Sequence, residues 1–116
     1  LIFEQAKEIA ADNTDQIKLE SKITLSIAIR LKAEQFLIKS INDKAFVDEI
    51  KSNQTIQLIQ KYKEIFPKED RNIMILEQVN LMTPENIHLN SFMYEPIIDL
   101  GMDHLKKLYE VICKLS

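Results

Sequence analysis

The sequence predicts an all-α protein, a compact bundle of about six or seven helices with one long, largely buried helix over 17–41. Three observations carry that expectation. Glycine occurs once, at Gly101, and proline three times, at Pro67, Pro84 and Pro96, so the tight turns of an all-β fold lack the residues they need. Apolar residues recur every three or four positions through most of the chain. The stretch "IKLESKITLSIAIRLKAEQFLIKSI" (17–41) contains neither breaker.

The first helix is read over 2–11, where Ile2, Phe3, Ala6, Ile9 and Ala10 fall at helical spacing. "ADNTDQ" (11–16) interrupts it with residues that favour caps and turns. In the long element that follows, Ile23, Leu25, Ile27, Ile29 and Leu31 alternate strictly, which is the signature of a strand. Its downstream half, "RLKAEQFLIKSI", is rich in helix formers and reached without a turn signal. A helix, apolar nearly all round in its middle and hence buried, is therefore expected, with a strand over 22–31 as the alternative.

Asn42 and Asp43 supply a stop and an N-cap before "KAFVDEIK", a short helix turning Phe46, Val47 and Ile50 inward. Ser52 or Asn53 caps the next, whose apolar positions Ile56, Ile59, Tyr62, Ile65 and Phe66 recur every three or four residues. Pro67 ends it, because the residue before proline is pushed out of the α region. "EDRNIMILEQVNLM" (69–82) opens with acids suited to a helix N-terminus and buries Ile73, Leu76 and Val79. The last helix starts near Asp103 with Leu105, Leu108, Tyr109, Ile112 and Leu115 along one stripe.

At 116 residues, the chain has the length of one ordinary domain, and 1–116 is read as a single helical domain. Leu1 is not an initiator methionine and the helical pattern starts at once, so the chain reads as a piece of a longer protein. A hydrophobic fraction of 46% beside 28% charged residues belongs to a folded globular chain rather than a disordered one. Abundant isoleucine, lysine and asparagine beside scarce arginine associate with AT-rich, bacterial genomes; the association is compositional.

Net charge is −3, from 15 basic and 18 acidic residues. That mixture is a poor footprint for phosphate backbones, and only Arg30 and Arg71 offer bidentate recognition. One glycine cannot build a phosphate loop or a dinucleotide fingerprint. Cys113 stands alone, so no intrachain disulfide frames the fold. No apolar run approaches the roughly twenty residues of a membrane span, and a cytoplasmic location is expected.

The least generic stretch is "LMTPENIHLNSFMYEP" (81–96). Thr83-Pro84-Glu85 reads as a helix start, with threonine as cap, proline in the first turn and an acid at the positive end. A short helix there carries Ile87, Leu89 and Phe92, and Met93, Tyr94 and Ile97 join Ile87 and Phe92 as candidate contacts to a partner. The sharper reading gathers His88, Tyr94, Glu95, Asp99 and His104 into a metal or acid–base cluster. Zinc-type ligand spacings are missing from it, so a corner between helices is preferred to an enzyme site.

Residues 44–66 can also be drawn as a helix-turn-helix. In that alternative Lys51, Asn53, Gln54, Thr55 and Lys61 contact nucleic acid, the polar ones from a helix N-terminus. Asp48, Glu49 and Glu64 dilute the positive field, which disfavours it. Arg30 and Glu34, spaced i,i+4 in the apolar long helix, form a shielded pair or send Arg30 into a groove. Cys113 reads as a small hydrophobe.

Ile73-Met74-Ile75-Leu76 is more apolar than one helix face requires, 23–31 is apolar on both sides, and the methionines lie between Met74 and Met102. Such excess points to contact with another chain. The expected function is a helical protein–protein interaction or oligomerisation module. It is expected to be no enzyme, to use no cofactor or metal, to meet no membrane, and to take a protein partner or a second copy.

Overall fold

The computed structural model describes residues 2–11, 19–50, 54–82 and 101–115. Six α-helices occur among them: α1 (Ile2–Ala11), α2 (Leu19–Ile41), α3 (Lys44–Glu49), α4 (Gln54–Ile65), α5 (Asp70–Met82) and α6 (Met102–Cys113). No strand occurs among the described residues. The alternating segment 22–31 is helical throughout. It is part of a helix of 23 residues, about 34 Å long at 1.5 Å per residue.

Tertiary burial explains why alternation did not produce a strand. α2 packs against α1, α4, α5 and α6, so most of its circumference is covered and apolar residues are tolerated nearly all round. Leu25, Ala28, Ile29, Ala33 and Leu37 are fully buried along it. Each of the larger aliphatic side chains contributes about 1.5–3 kcal/mol through burial. Around this post α1 packs on α6, α6 on α5 and α5 on α4.

The chain leaves α2 through a stop written in local chemistry. Asn42 adopts φ 50°, a left-handed conformation that asparagine accepts more readily than most residues, and its N–H donates to the Ile38 carbonyl at 3.1 Å. Asp43 then caps α3, its carboxylate accepting from the Phe46 N–H at 3.1 Å. Phe46, Val47 and Ile50 pack against the core only in part, and α3 buries no residue completely.

α4 departs from the expected stripe. Thr55, Leu58, Ile59 and Tyr62 are buried, whereas Ile56 and Ile65 are 38% and 43% exposed. Both sets have helical spacing, so periodicity alone cannot choose between them. Cross-helix bonds decide the rotation: the Thr55 hydroxyl donates to Glu34 of α2 at 2.8 Å, and Asn72 of α5 donates to the Tyr62 hydroxyl at 3.1 Å. Tyr62 also meets Phe36 and Phe66, with ring centroids 5.6 and 4.8 Å away. α5 buries Leu76 and Val79 as expected, with Ile75 buried and Ile73 only half-buried. In α6, Leu105, Leu108, Tyr109 and Ile112 form the buried stripe, and Leu115 packs against its edge.

Candidate functional site

Three features outside the ordinary apolar core are candidates for function: a polar line on α2, the open face of α2, and the surface around α5. Lys22, Ser26 and Arg30 are each one turn apart, so they share a face of α2, and all three are buried. The Arg30 guanidinium donates to Asn80 of α5 over a long 3.5 Å, while Glu34 receives Thr55. The two members of the expected pair thus each reach a different neighbouring helix. The Ser26 hydroxyl is buried without a hydrogen-bond partner among the described residues.

Among the described residues, one face of α2 is apolar and partly exposed. Leu31 and Ile38, seven residues apart and so on one face, are 37% and 41% exposed, and Ile27 beside them is half-buried. On α5, Met74 and Leu81 repeat the same spacing and are 60% and 77% exposed. A shallow groove flanks α5 on each side. The one toward α6 has a volume of about 320 Å³ and is lined by Met74, Ile75, Gln78, Lys107, Leu108 and Val111. The one toward α4, about 280 Å³, is lined among others by Ile56, Ile59 and Leu81. The Lys63 ammonium bridges the second groove's walls, 2.6 Å from the Glu77 carboxylate.

The segment expected to carry the partner contacts, with Ile87, Phe92, Met93, Tyr94 and Ile97, lies outside the described residues. So do His88, Glu95 and Asp99, and His104 is exposed on α6. Among the described residues no group of three or more His, Cys, Asp or Glu side chains is placed to hold a metal ion. Of the alternative nucleic-acid set, Lys51 and Asn53 lie outside the described residues and Gln54 opens α4. Thr55 is 1% exposed, its hydroxyl committed to Glu34, so it is not presented to a base edge. Lys61 is half-buried, its ammonium 5.2 Å above the Phe46 ring and 3.9 Å from Glu64.

Family models, curated proteins and solved structures give no match to this chain.

Near the end of α6 the Tyr109 hydroxyl lies 3.5 Å from the Phe3 carbonyl of α1, to which it donates. Burial pushes the phenol above its usual range, and the adjacent Cys113 thiol adds to the shift. Cys113 is exposed, beside a pocket it shares with Lys32 and Lys39. Sequence reasoning missed the two α5 grooves because a groove belongs to two helices at once. It did find part of one wall, since Met74 and Ile75 of the apolar run Ile73-Met74-Ile75-Leu76 line the groove toward α6. Of those four, Met74 is the one left outside.

No described helix is long and apolar enough to cross a membrane.

Proposed function

We infer that this chain is a helical interaction module of a cytoplasmic protein, and that it self-associates through the open face of α2. The observation that carries this reading is the partial exposure of Leu31 and Ile38, seven residues apart on one face of a helix that α1, α4, α5 and α6 pack against. Among the described residues this is the apolar face of α2 that its neighbours leave partly exposed. Packing of that face on a copy of itself removes apolar surface from water in both chains. Antiparallel pairing centred on Leu31 sets Ile38 of each copy against Thr24 and Ile27 of the other.

The test is solution mass by light scattering across a concentration series, for the wild type and for Leu31→Glu with Ile38→Glu. The wild type is expected to exceed the monomer mass of 13.6 kDa as concentration rises. The double variant is expected to return to it with an unchanged melting temperature, because both side chains are already partly in water. A wild type that stays monomeric at about 1 mM, a concentration at which only about −4 kcal/mol of association free energy is needed, would falsify self-association.

A further inference from the structure

We draw no further inference here: the strongest candidate, the apolar groove between α5 and α6 lined by Met74, Ile75, Leu108 and Val111, carries none because nothing in the structure shows what covers it.

Discussion

Replacing Thr55 with valine tests the clasp between α2 and α4 and, with it, the rotation of α4. The side chain is 1% exposed, and its hydroxyl donates to the Glu34 carboxylate at 2.8 Å. Valine keeps the shape and removes only the donor. A hydrogen bond to a charged group contributes about 1.5–3 kcal/mol. Glu34 is only partly buried, so water replaces some of what the carboxylate loses, and a cost of about 1.5 kcal/mol is expected. At about 2.1 cal/mol/K per residue, the unfolding entropy of 116 residues is about 0.24 kcal/mol/K, which converts that cost into a fall of about 6 °C in melting temperature. Urea titration followed by circular dichroism measures it, and the cycle with Glu34→Ala isolates the pair. A coupling of about 1 kcal/mol is expected from two groups in direct contact. If Thr55→Val leaves the midpoint unchanged, or if the two changes add without coupling, the clasp contributes nothing. Thr55 would then have to be placed outward, where the helix-turn-helix reading had it.

Two further outcomes follow from single buried groups. Ser26→Ala removes a hydroxyl that has no partner among the described residues and should leave stability unchanged or raise it by up to about 1 kcal/mol, because an unpaired buried polar group is a cost in the folded state; a loss of that size in urea titration contradicts the observed geometry. Tyr109 is a group whose proton the folded state holds more tightly than the unfolded chain does, since burial and Cys113 raise its pKa. Its contribution is therefore complete at neutral pH and is lost as pH rises from about 10 toward the higher folded value. Tyr109→Phe should flatten that alkaline decline in urea midpoints measured from pH 7 to 11, and an identical decline in the variant removes the assignment.

Helices whose ends are written in local chemistry were legible. Asn42 and Asp43 end one helix and begin the next through interactions within four residues of themselves, so reading neighbours in sequence sufficed. The alternation over 22–31 was ambiguous for a physical reason: a helix covered on most sides and a strand buried on one face both accept it. Long, turn-free continuation toward Ile41 decided correctly. In α4 the expected Ile59 and Tyr62 are buried, but Thr55 and Leu58 are buried where Ile56 and Ile65 were expected, and it is Glu34, from another helix, that holds Thr55 inward.

By itself the sequence determined that this chain is helical, because scarce glycine and proline and a recurrent apolar spacing leave the backbone little alternative. It also determined that the chain carries more apolar surface than single helix faces need, visible in Ile73-Met74-Ile75-Leu76 and in the long helix. Only the tertiary structure decided where that surplus emerges. Among the described residues Leu31 and Ile38 of α2 stay partly exposed, and α5 lies between two grooves, one lined by Met74 and the other by Leu81. Those positions depend on how helices distant in the chain pack on each other, and no pattern within one helix encodes the sides from which its neighbours approach.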